Sequence, residues 1–389
     1  MGFLQNADLS LNLIEQARRA SAGYIDLTSS NPTHQGLLFP AQVLREASEG
    51  YWATRRYAPD ARGDARAREA IQRYYDLRVA SCVGSQATNA RRNTHDVFIT
   101  ASTSEAYSLL FALLTEPGDN VLAPDVGYPL FDFLAEMHHT TLKPYRLDEA
   151  RRWQIDESSL VKSADERTRA VLVISPHNPT GNIVQSPIPN IQSLNLPIIC
   201  DEVFAEFTVG VAHTPVMSAL HLGLPVFVLN GLSKMFALPD LKLGWIAMNE
   251  QASEYYAERL EVLNDTFLSA NYLTQFMLPT LFERGWDFVT QQREHVRRNM
   301  NLALEMLAQC SAIKTRLPDG GYNLFCEVLG WDNAPGSEDA LVLHLLQQGV
   351  LVHPGYFFNC TQGAHILISC LTETTQLQAG LERLIAALA

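Results

Sequence analysis

Between residues 96 and 248 short apolar runs alternate with turn signals and stretches of helical periodicity. Val97-Phe98-Ile99, Asn120 to Ala123, Ala170 to Ile174, Pro197 to Cys200, Val226 to Leu229 and Gly244 to Met248 have the length and apolar content of buried strands. Another strand is expected near 141–146, and helices are expected over 105–114 and 130–138. Strands that alternate with helices predict an α/β fold, a mostly parallel sheet flanked by helices on both faces. Upstream, helical spacing covers 9–20, 41–52 and 64–78, and Tyr24 to Thr33 reads as a short strand ending in a polar turn.

After Met248 the pattern changes. Long helical stretches cover 251–283 and 286–309, followed by the corner Asp319-Gly320-Gly321 and a strand from Asn323 to Val328. Helix 337–348, strands 350–352 and 366–370, and helix 373–388 complete the chain. This half reads as a smaller α+β domain. At 389 residues the chain exceeds one ordinary core. The expected division is a large α/β domain over 41–265 and a small domain of 1–40 with 266–389, joined through a long helix.

Charge narrows the function. The 42 Asp and Glu outweigh 29 Lys and Arg, a formal charge of −13, which disfavours a nucleic-acid surface. No run approaches the ~18 apolar residues of a membrane span. The first twenty residues carry acids and amides where a signal peptide needs an apolar core. The six cysteines form no C-x-x-C pair, and Cys200 and Cys326 lie in apolar runs as reduced buried thiols do. A cytoplasmic protein is expected, with no metal site and no membrane contact.

The candidate chemistry starts at Lys234, which follows the 226–229 run in N-G-L-S-K. Burial disfavours the charged form of a lysine, and an amine with a lowered pKa is a nucleophile toward carbonyls. Taken alone, Lys234 reads more readily as a surface lysine in a loop. Thr103 with Ser104, Asn178 and Asp201 also fall at carboxyl ends of predicted strands, the edge where open α/β sheets bind ligands. Each alone has a plainer reading as a cap or turn residue. Together they supply an amine, a carboxylate, a neutral donor and a helix start, a set that suits pyridoxal phosphate. Its aldehyde needs a lysine and its ring nitrogen an acid. Its phosphate suits a helix N-terminus, and its ring an aromatic face such as Tyr128.

The segments S-P-H-N-P-T-G-N (175–182), C-D-E-V-F (200–204) and L-S-K-M-F-A-L-P-D-L-K-L-G-W (232–245) resemble those of the class I/II, aspartate-aminotransferase-like enzymes of fold type I. T-A-S-T-S-E-A (100–106), E-P-G-D (116–119), R-Y-A-P-D-A-R-G (56–63), P-D-G-G-Y (318–322) and H-P-G-Y-F-F (353–358) support the likeness, which covers essentially the whole chain. It implies that Lys234 is the Schiff-base lysine and carries the substrate α-proton. It further implies that Asp201 pairs with the ring nitrogen and Asn178 donates to the ring hydroxyl. Thr103, Ser104 and Ser233 would hold the phosphate, and Tyr128 would stack on the ring. Tyr57 matches a tyrosine that reaches the phosphate of a neighbouring subunit, implying a homodimer with shared sites.

Four positions depart from the family pattern. Phe204 stands where a tyrosine usually holds the ring oxygen. Lys242 replaces the usual phosphate arginine, a point charge in place of a bidentate fork, and Gly231 replaces a phosphate-binding serine. Leu367, in H-I-L-I-S, falls where an arginine usually meets the substrate α-carboxylate. Arg316, His353, His365 and Asn323 are the candidate substitutes. The activities left open are transamination between an amino acid or amine and a 2-oxo acid, a β-lyase reaction of the cysteine–sulfur type, and cofactor binding without turnover.

Overall fold

The structure, a computed structural model, describes residues 9–55, 58–83, 96–184, 189–209, 223–331 and 336–389. A seven-stranded sheet runs in the order Asp96–Thr100, Gly244–Met248, Val226–Gly231, Ile198–Asp201, Thr168–Ile174, Asn120–Pro124, Thr141–Tyr145. The last five pair in parallel, whereas Gly244–Met248 is antiparallel to both neighbours. The cause is the preceding connection. It carries a four-residue helix, Leu232–Met235, and the turn Pro239–Leu241, too little to cross the sheet and return to the same end.

Alternate strand residues serve opposite faces. Phe98, Phe227, Leu229 and Ile246 pack with Leu110 and Phe111 of helix Thr103–Leu114 and Leu260 of helix Glu250–Thr266. Val97, Ile99, Val228 and Trp245 pack on the other face with Ile71 and Tyr75 of helix Ala65–Val83 and Leu278 of helix Tyr272–Arg284. The expected fold class is therefore the observed one.

A four-stranded antiparallel sheet follows, Ile313–Lys314, Asn323–Val328, Ala364–Ser369, His353–Pro354. Its Leu324, Cys326, Ile366 and Ile368 form a second core with helices Ser337–Gln347 and Thr374–Leu388. Ile25–Asp26 pairs with Val350–Leu351, bringing the N-terminal segment to this second core. Helix Trp286–Leu307 passes between the cores, with Phe288 and Val289 in the first and Val296, Met300 and Leu307 in the second.

Some element boundaries differ from expectation. The single helix expected over 251–283 is two, Glu250–Thr266 and Tyr272–Arg284. Leu268 and Ser269 break it with φ of 62° and 67°, and the Asn271 side chain caps the second helix at Thr274 N. The first helix begins at Leu13, where Asn12 accepts from Glu15 N at 2.8 Å. The hairpin of Leu147–Asp148 with Gln154–Ile155 and the helix Glu157–Ser163 were unexpected. Among the described residues no helix is long and apolar enough to cross a membrane.

Candidate active site

Three parallel strands end together, at Ile174, Asp201 and Gly231. Their ends deliver the 175–182 loop, Asp201 and the Leu232–Met235 turn to one edge. Asp201 is 4% exposed. Its Oδ1 accepts from Val203 N at 3.0 Å and its Oδ2 from Tyr107 Oη at 2.8 Å. Burial pushes its carboxyl up to about 6, although Val203, Tyr107 and Lys234 all favour the anion. Burial also raises the Tyr107 phenol well above its usual range, so it stays a donor.

Lys234 Nζ lies 5.7 Å from the centre of the Tyr322 ring. Burial pulls the ammonium pKa down, but the phenols of Tyr322 and Tyr128 and the Asp201 carboxylate outweigh it, and the net direction is up. This corrects the expectation of a depressed amine. A desolvated lysine loses its proton where nothing favours the ammonium, and here the Asp201 carboxylate and two phenol groups face it. Gln292, from the long helix, donates to the Lys234 carbonyl at 3.3 Å.

Asn178 Oδ1 accepts from Asn323 Nδ2 at 3.0 Å. With the carbonyl engaged, the Asn178 amide N–H remains as the donor to the site. The corner that supplies Asn323 is stitched to the first unit by Gly320 N to Gly181 O, Gly321 N to Phe207 O and Val209 N to Asp319 O, each 2.8 Å. Glycine is required in this contact: a Cβ on Gly320 would lie 2.8 Å from Phe207 O, and one on Gly181, at φ +71°, 2.6 Å from Gly320 O.

Thr103 and Ser104 open the helix Thr103–Leu114, whose first amides lack intrahelical acceptors. Ser102 caps it by accepting from Glu105 N at 3.2 Å, and the Glu105 carboxylate accepts from Ala101 N. A Cβ on Gly244 would lie 2.8 Å from Thr103 N, so this strand abuts the helix start. Gly244 pairs in register with Gly231, which places the helix start beside the Lys234 turn. A Cβ on Gly231 would lie 2.8 Å from Leu243 O, so the backbone there leaves no room for the serine of the family pattern.

The other expected residues are placed unevenly. Ser233 is partly buried beside Lys234, whereas Lys242 is exposed at a φ of 48°. Tyr128 is 44% exposed and meets Phe131 edge-on at 5.8 Å. Tyr57 lies outside the described residues. Phe204 is buried with its ring 4.9 Å from Tyr322. Leu367 is buried opposite Phe325 and His353 in the second sheet. Arg316 and His365 turn to Glu149, by Nη1 to the carbonyl at 3.1 Å and Nε2 to Oε1 at 3.4 Å. Arg316 and Glu149 border a cavity of about 540 Å³ whose lining excludes Lys234, Asp201 and Asn178. His353 packs against Phe357 at 5.5 Å. Of the four candidate substitutes, Asn323 is therefore the one tied to Asn178.

Tyr107, Gln292 and Tyr322 had no assigned part in the sequence reading. Tyr322 stood within P-D-G-G-Y, and Tyr107 looked like one more apolar-face residue of its helix.

The donor set fits pyridoxal phosphate: a half-buried amine, a buried acid, an amide N–H and a helix N-terminus on one edge. Residues 22–384 match the family aminotransferase class I and II. The chain belongs to this family. Its members depend on pyridoxal phosphate. Glutamate-pyruvate aminotransferase AlaA of Haemophilus influenzae is 26% identical over 371 residues, 92% of this chain and 89% of that relative. Tyrosine aminotransferase of Dictyostelium discoideum is 26% identical over 283 residues, 69% of this chain, and the match spans 66% of that relative's length. The alanine aminotransferase structure from Pyrococcus furiosus superposes with a TM-score of 0.84 at 24% identity, covering 96% of this chain and 94% of that one. That likeness establishes the fold.

Proposed function

We propose that this chain is a pyridoxal phosphate-dependent aminotransferase, exchanging an amino group between an amino acid or amine and a 2-oxo acid. The observation that carries the reading is the meeting of Lys234 and Asp201 at adjacent strand ends beside the start of helix Thr103–Leu114. When bound, the cofactor supplies an aldehyde for the amine and a ring that accepts the electron pair left by the α-proton. Lys234 Nζ would take that proton from the donor's α-carbon and deliver it to the carbon that carried the aldehyde, and the reverse transfer would serve the oxo-acid acceptor. Asp201, held by Tyr107 and Val203, keeps the ring nitrogen protonated. Asn178 would orient the ring through its amide N–H, Tyr128 would offer it an aromatic face, and Thr103, Ser104 and Ser233 would hold the phosphate. Lys242 and Tyr57 are the further phosphate contacts in this reading.

A homodimer is part of the proposal. Tyr57 supports it by family resemblance. So do exposed Phe267 and Leu268, beside the loop where Ser269 Oγ donates to Asp60 O at 2.9 Å. The division into two units rests on the two larger sheets, but the expected boundary at 265 moves past helix Tyr272–Arg284, because its Leu278 and Leu281 pack in the core of the first sheet. A reducing, cytoplasmic setting fits the buried unpaired thiols of Cys200, Cys310, Cys326, Cys360 and Cys370.

The test is to mix cofactor-loaded protein with a panel of amino acids and of amines lacking a carboxylate, with no oxo acid added. Stoichiometric conversion to the pyridoxamine form is expected. Catalytic release of pyruvate and ammonia would replace the reading with a β-lyase, and no spectral response to any amine would favour a non-catalytic binder.

A further inference from the structure

We propose that Tyr322 positions the Lys234 amine and stabilises the ammonium it becomes on taking up a proton, acting as a phenol carried in from the second sheet. The inference rests on Lys234 being the reactive amine.

Tyr322 is 2% exposed and its position is fixed from several sides. Phe204 meets the ring edge-on at 4.9 Å and Phe207 at 5.7 Å with an interplanar angle of 90°. Its carbonyl accepts from Cys370 N at 2.8 Å. The neighbouring residues on both sides are pinned, Gly321 to Phe207 O and Asn323 to Asn178. Its hydroxyl donates to Ser30 O at 3.4 Å, a long contact that ties it weakly. A rigid, buried phenol thus stands over a flexible four-carbon amine, and the amine adapts to the phenol.

The groups facing Lys234 are Tyr322, Tyr128 and Asp201, with Tyr107 behind the carboxylate. Asp201 is itself drawn toward its neutral form by burial, which weakens it as a counter-charge. Tyr128 is 44% exposed, so water screens it. Of the two phenols facing Lys234, Tyr322 is the buried one, and a hydroxyl acts on an ammonium more strongly away from water.

This geometry also links the two units. Lys234 sits on the first sheet's edge and Tyr322 leads into the second sheet. Any shift of the Asp319–Asn323 corner moves the phenol from the amine, so the amine's basicity reports how the second unit is seated.

The experiment reads the amine directly in cofactor-free protein, so a failure of transamination does not decide it. Trace acetylation with acetic anhydride across a pH series, with mass spectrometry of the Lys234 peptide, gives the midpoint for that lysine. Tyr322→Phe, which keeps the ring, is expected to lower the midpoint by about one pH unit. Tyr128→Phe is expected to lower it by less. The pH titration of cofactor-loaded absorbance should move in the same direction. A Tyr322→Phe midpoint equal to wild type, with native circular dichroism, overturns the proposal. Where Tyr322→Phe does not fold, Tyr322→Met keeps the apolar volume and is read against the same two outcomes.

Discussion

Tyr107 donates to Asp201 across 2.8 Å, joining residues 94 positions apart in a fully buried pair. The bond holds a carboxylate at the end of a central strand, where solvation would otherwise be lost without return. It also fixes which oxygen is engaged: Oδ2 takes the phenol and Oδ1 takes Val203 N.

Asp201 makes the cofactor-free protein pH-sensitive. Its carboxyl is held at about 6, above the ordinary 3.8. Between those values the folded chain keeps a proton that the unfolded chain has released. Stability from this group is therefore present below about 3.8 and is lost as pH rises through about 6. Asp201→Asn is expected to stabilise the cofactor-free protein at pH 7 by about 1–2 kcal/mol, part of the gain being cancelled because Lys234 loses a counter-charge. The gain shrinks as pH falls to about 5. Urea denaturation at the two pH values checks this.

The strand ends were legible because apolar runs stop at recognisable turns, as at Asn230-Gly231 and Asn178-Pro179. The Tyr107–Asp201 bond was not, because a tyrosine one turn into an apolar helix carries no sign of what it faces. Tyr322 was hidden in the same way: its motif was visible, but its approach to Lys234 depends on how the second sheet docks. The break at Leu268 and Ser269 has positive φ at residues that do not favour it, so neither glycine nor proline announced it. The antiparallel run of Gly244–Met248 was not among the expectations, although the segment before it is too short for a crossover.

Gly244 is expected to admit no side chain. Its Cβ would lie 2.8 Å from both Thr103 N and Ser102 C, backbone atoms that cannot rotate away. Gly244→Ala should cost about 1–3 kcal/mol of stability and displace the helix start. Cofactor binding, followed by tyrosine and tryptophan fluorescence, should then be at least about tenfold weaker, which is about 1.4 kcal/mol.

Leu367 is expected to be part of an apolar wall. It is 3% exposed and lies opposite Phe325. Leu367→Arg buries a guanidinium in that wall and should destabilise the loaded protein by about 3 kcal/mol. Ligands with a carboxylate should recover part of that loss, so 2-oxo acids would raise the melting temperature of the variant more than that of wild type. Equal shifts in both proteins would place Leu367 away from the ligand.

The central claim is that Lys234 is the amine that joins the cofactor, and covalent mapping tests it most directly. The protein is incubated with pyridoxal phosphate, reduced with borohydride, digested and analysed by mass spectrometry, beside Lys234→Ala treated alike. The account predicts one phosphopyridoxyl group per chain, on Lys234, and its loss from the variant. Labelling at Lys242 or any other lysine in place of Lys234, or undiminished labelling of the variant, would contradict it.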